Sequence, residues 1–237
     1  GFAMMALASF GFSADAQRYM DGTYLTADFL RKVPEYKAYP DRHQQYRNGL
    51  QPMYAVSAYR LSGDREWITK HLDTLRQCAE WTIENRRKTM VLEDGRKPLH
   101  WGLLPKWSYG GDIANLQCYA LYANFACWRG LQDTAWLLEQ LGDTASAQRY
   151  SDEAAEYREV LTHVVDANLQ RDQDPPFLPL QLYATKPVGD DYDQLFAGIL
   201  LDLLPFDLQG GQSDYLTDYL ERANLLFCGL PRFRRDV

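Results

Sequence analysis

The chain of 237 residues is 46% hydrophobic and 24% charged, which is typical of one large or two small globular domains. Its net charge of −7 argues against nucleic acids and anionic membranes as partners, because both require a basic surface. No apolar run reaches the roughly 18 residues of a membrane-spanning helix, so we expect neither kind of partner.

Two kinds of helix alternate along the sequence. A helix that is apolar on all sides must be buried all round, whereas a helix with one apolar stripe covers a core on that side only. The first kind is predicted at 2–10, 50–61, 116–141 and 195–204, and each is followed by a helix of the second kind. The clearest stripe has apolar residues at 147, 150, 154, 157, 161 and 164. The pattern predicts an all-α chain of about four helical hairpins (1–30, 49–87, 113–167 and 193–224), with inner and outer helices in two layers.

The first helix has an alternative interpretation as a signal peptide, since 1–10 is apolar and 13–16 imitates a cleavage site. A signal peptide carries a basic segment before its apolar run, which is missing here, and Gly11 interrupts the run. We therefore predict a core helix, and the compartment stays open.

Short turns join the inner helix of a hairpin to its outer helix, at Gly63-Asp64 and Gly142-Asp143. Glycine adopts the left-handed conformation that ends a helix, and the aspartate side chain caps the start of the next one. Long loops follow the outer helices instead, at about 32–48, 88–112 and 168–192. These loops would all lie at one end of the two layers, and long loops in compact domains commonly carry function.

Short motifs in this arrangement resemble those of a known superfamily. They are Asn-Gly-Leu at 48–50, Leu-Ser-Gly-Asp-Arg-Glu-Trp at 61–67, Trp-Gly-Leu-Leu-Pro at 101–105, Gly-Gly-Asp at 110–112, Asn-Phe at 124–125, Arg-Gly-Leu at 129–131 and Gly-Leu-Pro-Arg at 229–232. Together with the hairpin pattern, they resemble the six-hairpin (α/α)6-barrel glycoside hydrolases, which include glucoamylase, glycogen-debranching, trehalase and α-L-rhamnosidase types. The resemblance implies a single toroidal catalytic-type domain over 1–237. With four hairpins instead of six, we expect an incomplete (α/α)6 toroid, truncated at both ends, whose edge hairpins expose apolar flanks.

The resemblance also implies hydrolysis of a glycosidic bond in an oligo- or polysaccharide by carboxyl groups at the mouth formed by the long loops. Asp112 is the candidate catalytic residue, because it ends a long loop directly before a predicted inner helix. Gly110 and Gly111 beside it let the backbone approach a ligand closely. The alternative is that Asp112 only caps a helix that begins at Ile113.

Aromatic and polar side chains in the loops are candidates for sugar binding, since sugar rings pack on aromatic faces and sugar hydroxyls need polar partners. These candidates are Trp101, Trp107 and Tyr109 and, in the preceding long loop, Asp41, Arg42 and His43. An alternative role for the two tryptophans is to pack their loop against the barrel.

The third inner helix is predicted to hold core aromatic residues, Tyr119 among them, because it is apolar on all sides. Arg129 within it needs a carboxylate or a water-filled cavity, and we expect a structural ion pair.

Other interpretations stay open. A sugar epimerase or polysaccharide lyase on the same fold would use tyrosine and histidine as base and acid, and His43 or His100 with Tyr109 could serve. The chain could instead be a non-catalytic helical scaffold or an inactive fragment. We expect no cofactor. The four cysteines lack the spacing of zinc ligands, so we predict that they are buried free thiols. The carboxylates in the loops leave a calcium site as an open alternative.

Overall fold

The computed structural model describes residues 2–23, 25, 44–110, 113–179, 181–184, 214–223, 226–227 and 230–231. Helices make up most of this part of the chain, which confirms the all-α class. They are α1 (Phe2–Ser9), α2 (Ser13–Thr23), α3 (Gln44–Ser62), α4 (Arg65–Lys70), α5 (Leu72–Arg87), α6 (Leu121–Leu141), α7 (Thr144–Asn168) and α8 (Asp214–Arg222). Two short antiparallel hairpins accompany them, β1 (Trp107–Gly110) with β2 (Ile113–Cys118) and β3 (Leu226–Phe227) with β4 (Leu230–Pro231).

The inner helices α3 and α6 run parallel to each other. Near their starts, the rings of Tyr46 and Tyr122 lie 5.3 Å apart, and near their ends the rings of Tyr59 and Trp136 lie 6.3 Å apart. The starts of the two helices therefore lie side by side, and so do their ends. The first hairpin, α1 with α2, packs against α3.

Two glycines bring α3 and α6 into backbone contact. A Cβ atom at Gly49 would lie 2.0 Å from the carbonyl oxygen of Ala126, and one at Gly130 would lie 2.4 Å from the carbonyl oxygen of Gly49. Any side chain at either position would collide with the neighbouring backbone, so this spacing requires glycine.

The outer helices α5 and α7 are also parallel, and charged side chains join them. At their starts, Arg76 Nη2 lies 2.5 Å from Asp143 Oδ2, and at the end of α5, Arg87 Nη2 lies 2.6 Å from Glu153 Oε1. The predicted stripe of α7 is buried at every position: Ala147, Tyr150, Ala154, Tyr157, Leu161 and Val164. The prediction of two layers is therefore confirmed for the second and third hairpins.

The two Gly-Asp turns are confirmed in detail. Gly142 adopts a φ of 92° and Gly63 a φ of 68°, both in the left-handed region that glycine tolerates. Asp64 Oδ1 accepts a hydrogen bond from the Trp67 amide at 2.9 Å, and Asp143 Oδ1 accepts one from the Ser146 amide at 3.2 Å. Each aspartate thus caps the outer helix that follows it.

The predicted start of the third inner helix is wrong. Residues 113–118 form strand β2, which pairs with β1 so that Cys118 lies opposite Trp107, and the helix begins only at Leu121. The apolar spacing of this segment also fits a helix, and no proline or glycine interrupts it, so pairing with the neighbouring segment β1 was not predicted. The interpretation of Ile113 as the first residue of a helix is therefore wrong as well.

Of the predicted fourth hairpin, 193–224, the structure describes 214–223, which contains α8. Its predicted inner helix at 195–204 lies outside the described residues.

The prediction that the first helix is buried on all sides is also wrong. Leu7 of α1 is exposed, and so are Phe10 and Phe12 in the turn to α2, whereas Ala8 is buried. Among the described helices, α1 packs against α2 and α3, and this packing leaves the Leu7 side chain exposed. This apolar surface agrees with the exposed flank expected at the edge of an open array.

In the described part of the chain, no helix combines the length and the apolar character needed to cross a membrane.

Candidate active site at the long-loop end

The loops that follow α5 and α7 lie at the same end of the molecule, because these two helices are parallel. We call this the long-loop end; it comprises the described segments 88–110, 113–120 and 169–184 with the starts of α3 and α6. The segments contact each other directly: the Leu182 amide donates to the Tyr119 carbonyl at 3.0 Å, and Gln45 Nε2 donates to the Pro105 carbonyl at 2.9 Å. The sequence prediction that the long loops share one end holds for these segments.

The Trp-Gly-Leu-Leu-Pro motif at 101–105 is fixed by buried polar side chains. Arg86 Nε donates to the Gly102 carbonyl at 3.0 Å, and Thr89 Oγ1 donates to the Leu103 carbonyl at 2.6 Å. The Leu104 amide donates to Asn124 Oδ1 at 2.8 Å. Because these bonds come from the end of α5, from Thr89 directly after it and from α6, the loop has a defined position relative to both hairpins.

Arg86 is a fully buried cation that holds this loop on the outer helices. Its guanidinium lies 4.0 Å from the ring centroid of Tyr157, and its Nη1 is 3.5 Å from Glu153 Oε2. Burial lowers the pKa of Arg86, while Tyr157 and the nearby carboxylates oppose that effect. Gly102, with a φ of 74°, packs against Met90 and leaves room for this arrangement.

Four residues of the loops form what we call the histidine cluster: Glu93, His100, Tyr119 and Tyr183. The imidazole of His100 stacks on the ring of Tyr119, with centroids 4.5 Å apart and planes 13° apart. His100 Nδ1 lies 3.0 Å from the hydroxyl of Tyr183, and His100 Nε2 lies 3.4 Å from Glu93 Oε1. The carboxylate of Glu93, the imidazole of His100 and the phenol of Tyr183 therefore form a row. Tyr183 at the outer end of this row is 54% exposed.

Tyr183 is held in a backbone conformation that costs energy. Its φ is 69°, in the left-handed region that a bulky side chain rarely adopts, at a cost of about 1–3 kcal/mol. Its amide donates to Asn168 Oδ1 at 3.3 Å, which helps to keep it in place over His100. Burial, and to a lesser degree Glu93, raises the pKa of Tyr183, so its hydroxyl stays protonated and can act as a proton donor.

Two lysines lie on aromatic rings beside the histidine cluster. Lys106 Nζ is 5.4 Å from the ring centroid of Tyr119, and Lys97 Nζ is 5.0 Å from that of Trp101. Burial, followed by Tyr183 and Glu93, raises the pKa of Tyr119, so this ring is uncharged where the Lys106 ammonium meets it.

Of the predicted binding residues, Trp101 and Trp107 lie half-buried at the long-loop end, on either side of the Leu103–Leu104 segment. Tyr109 lies in strand β1. Asp112, Asp41, Arg42 and His43 lie outside the described residues. The structure therefore brings the Trp101 segment together with His100, and the other predicted contacts stay predictions.

Three members of the histidine cluster were not identified from the sequence. Tyr119 was assigned to the core of an inner helix, but it precedes α6 and is only half-buried. Tyr183 lies 83 residues from His100 in the chain, and its only signal was its place in a predicted long loop. Glu93 looked like an ordinary loop carboxylate.

A second polar cluster lies on the flank of α6 and α7, beside a cavity of about 690 Å³. Asp133, which is 2% exposed, lies 3.0 Å from Arg129 Nε and 3.1 Å from Arg60 Nη2. Burial raises the pKa of Asp133, although both guanidinium groups oppose this. The ion pair predicted for Arg129 is confirmed, and its carboxylate is fully used by the two arginines.

No group of three His, Cys, Asp or Glu side chains in the described segments is arranged to hold a metal ion. Cys78, Cys118 and Cys127 are buried free thiols, as predicted, and Cys228 lies outside the described residues. Burial raises the pKa of the Cys78 and Cys127 thiols to about 12, which makes both poor nucleophiles.

No protein-family model, no curated protein and no solved structure matches this chain. A function must therefore be argued from the geometry of the long-loop end and from the sequence pattern.

Proposed function

We propose that the long-loop end is the active site of a carbohydrate-active enzyme that cleaves glycosidic bonds. The observation that carries the proposal is the histidine cluster, in which a proton-transferring pair, His100 and Tyr183, lies between half-buried aromatic residues. Exposed aromatic faces suit the apolar faces of sugar rings, and a hydrogen-bonded acid and base suit bond cleavage.

Hydrolysis is the reaction that the family resemblance implies, with Asp112 as a catalytic carboxyl group. This residue would supply the acid or base function of a glycosidase, and Trp107 and Tyr109 of β1 would hold the sugar. The position of Trp107 at the long-loop end supports this assignment.

Elimination is a second candidate, and the hydrogen bond between His100 and Tyr183 favours it. In this reaction a base removes the proton beside a sugar carboxylate, and an acid protonates the departing glycosidic oxygen, which leaves an unsaturated sugar. His100 removes the proton beside the sugar carboxylate, and the Tyr183 hydroxyl, which burial keeps protonated, donates its proton to the departing glycosidic oxygen. Glu93 beside Nε2 stabilises the imidazolium that results. The hydrogen bond between the two side chains then returns a proton from His100 to Tyr183.

The test compares Asp112→Asn with His100→Gln and Tyr183→Phe in the full-length protein, using a panel of oligosaccharides. Reducing ends report either reaction, whereas ultraviolet absorbance of an unsaturated product reports elimination alone. For hydrolysis, we expect Asp112→Asn to lower kcat by about 100-fold or more, with little change in KM. For elimination, His100→Gln and Tyr183→Phe should each cause a loss of about that size, and Asp112→Asn should not.

The control is His163→Gln, which removes an exposed histidine of the outer helix α7 that is not part of the histidine cluster. Its kcat should equal that of the wild type. Absence of turnover on every saccharide by a folded wild-type protein would contradict the proposal and favour a non-catalytic scaffold.

A further inference from the structure

We propose that the long-loop end takes an anionic saccharide whose sugars carry carboxylate groups, and that Lys97 and Lys106 bind its negative charges. This inference rests on the proposed function, since it names the substrate class of the same site.

The environment of these two lysines differs from that of the other lysines in the described segments. Lys70 Nζ lies 3.4 Å from Asp21 Oδ2, and Lys88 Nζ donates to Asn85 Oδ1 at 2.9 Å. Lys97 and Lys106 lie on ring faces instead, and within the described part of the chain no carboxylate forms an ion pair with either.

A ring face positions an ammonium group without neutralising it. The negative face of the aromatic ring attracts the ammonium group and so holds the lysine side chain in place. The three N–H donors of the ammonium group stay available to a ligand. Both side chains are exposed, so these donors are accessible from solvent. Each lysine is therefore a positioned cation with unused hydrogen-bonding capacity.

The two cations flank the proton-transferring pair. Lys106 lies on Tyr119, which stacks on His100, and Lys97 lies on Trp101, the next residue after His100. On a saccharide that carries a carboxylate on each sugar, a sugar bound at the imidazole would have neighbouring sugars whose carboxylates can reach these ammonium groups. Both reactions considered for the site would then act next to a charged group of the substrate.

The charge of the rest of the chain gives these cations a selective role. The net charge of −7 makes the protein as a whole unfavourable for a polyanion. An anionic saccharide would bind only where uncompensated positive charge is exposed, and Lys97 and Lys106 supply it at the long-loop end.

The experiment measures binding of three oligosaccharides of equal length by calorimetry: a neutral one, a galacturonate oligomer and a sulfated one. The protein variants are Lys97→Gln, Lys106→Gln and, as a control outside the long-loop end, Lys70→Gln in α4. We expect the galacturonate oligomer to bind most tightly, with Kd raised about fivefold by each of the first two variants and unchanged by the third. The affinity of the wild type should also fall as salt is added.

Each alternative outcome has a distinct meaning. Equal binding of neutral and anionic oligomers, with no effect of either lysine, would overturn this inference and leave the proposed function standing. Preference for the sulfated oligomer would overturn the assignment to carboxylates. An equal effect of Lys70→Gln would reduce the result to general charge and overturn the role of the two lysines. Absence of binding by all three would contradict the proposed function itself.

Discussion

Two glycine residues set the closest approach between the inner helices. At Gly49 the nearest backbone atom to an added Cβ would be 2.0 Å away, which is far inside any tolerated contact. Because the obstacle is the carbonyl group of Ala126 and not a flexible side chain, α3 and α6 would have to move apart. A shift of two packed helices disturbs every side chain between them.

We therefore expect Gly49→Ala to lower the free energy of unfolding by about 3 kcal/mol or more, which is the upper range for overpacking a core. Chemical denaturation of both proteins measures the difference. The control is Gly22→Ala in α2, where no atom lies within 4 Å of the added Cβ. Removing a helical glycine at an open position should instead stabilise the protein by about 0.5–1 kcal/mol. Similar effects of both substitutions would contradict the role of the contact.

The sequence could place Gly49 and Gly130 within helices but not show that they meet. Both belong to motifs that suggested a family resemblance, yet contact between distant segments leaves no mark on local spacing. The same applies to His100 and Tyr183, whose pairing depends on how two loops fold over the helix ends.

At the scale of helices, α5 and α7 are joined by an ion pair on their outer side. Both oxygens of Glu80 accept from the guanidinium of Arg149, at 2.5 and 2.7 Å, and Oε1 also accepts from the Tyr150 hydroxyl at 2.7 Å. The hydrogen bonds from Arg149 are the largest reason that the pKa of Glu80 lies below its ordinary value of 4.5.

Because its pKa is lowered in the folded state, Glu80 contributes stability above pH 4.5 that is lost as the pH falls through the folded pKa. We expect the wild type to lose more unfolding free energy than Glu80→Gln does between neutral pH and the acid range below 4.5. The difference should be about 1 kcal/mol or less, since the pair is partly exposed. Thermal or urea unfolding across this range measures it.

The control for this prediction is Glu66→Gln, an exposed glutamate in the first turn of α4. It should leave the acid dependence of the wild type unchanged. A Glu80→Gln protein with the same pH profile as the wild type would show that the ion pair does not couple the helices.

Some elements could be predicted from sequence and others could not, for a physical reason. The stripe of α7 and the Gly-Asp turns depend on neighbours in the chain, and both are confirmed. Strand β2 depends on hydrogen bonds with β1, so the same residues read as a helix when considered alone.

At the scale of the whole molecule, the first hairpin carries an uncovered apolar surface. Phe10 is 80% exposed and Phe12 is 54% exposed, and Leu7 of α1 is exposed beside them. Grouped apolar side chains of this size in a soluble domain commonly mark a contact surface or an aggregation hazard.

We expect the double variant Phe10→Ser, Phe12→Ser to bind less of a hydrophobic dye and to self-associate less than the wild type. Its stability should change by about 0.5 kcal/mol or less, because neither side chain is buried. Analytical ultracentrifugation over a range of concentrations measures the association. The matched control is Val91→Ser, Leu92→Ser, which removes two exposed apolar side chains at the opposite end of the hairpins. If the control has the same effect, the surface at the first hairpin has no special role.

The overall plan of the described part was predictable, and the site was predictable only in part. Helical periodicity indicated two layers, and the placement of the long loops indicated that they share one end. Trp101 and Trp107 do lie at that end, whereas Asp112, Asp41, Arg42 and His43 lie outside the described residues. Closure into a toroid stays a prediction.

The second and third hairpins lie closer together in the inner layer than in the outer layer. Between α3 and α6 there is only the thickness of two backbones, while between α5 and α7 there is the length of paired arginine and glutamate side chains. At this joint between the second and third hairpins, the inner helices therefore approach each other more closely than the outer helices do. Further hairpins joined in the same way would form a row that curves toward its inner layer.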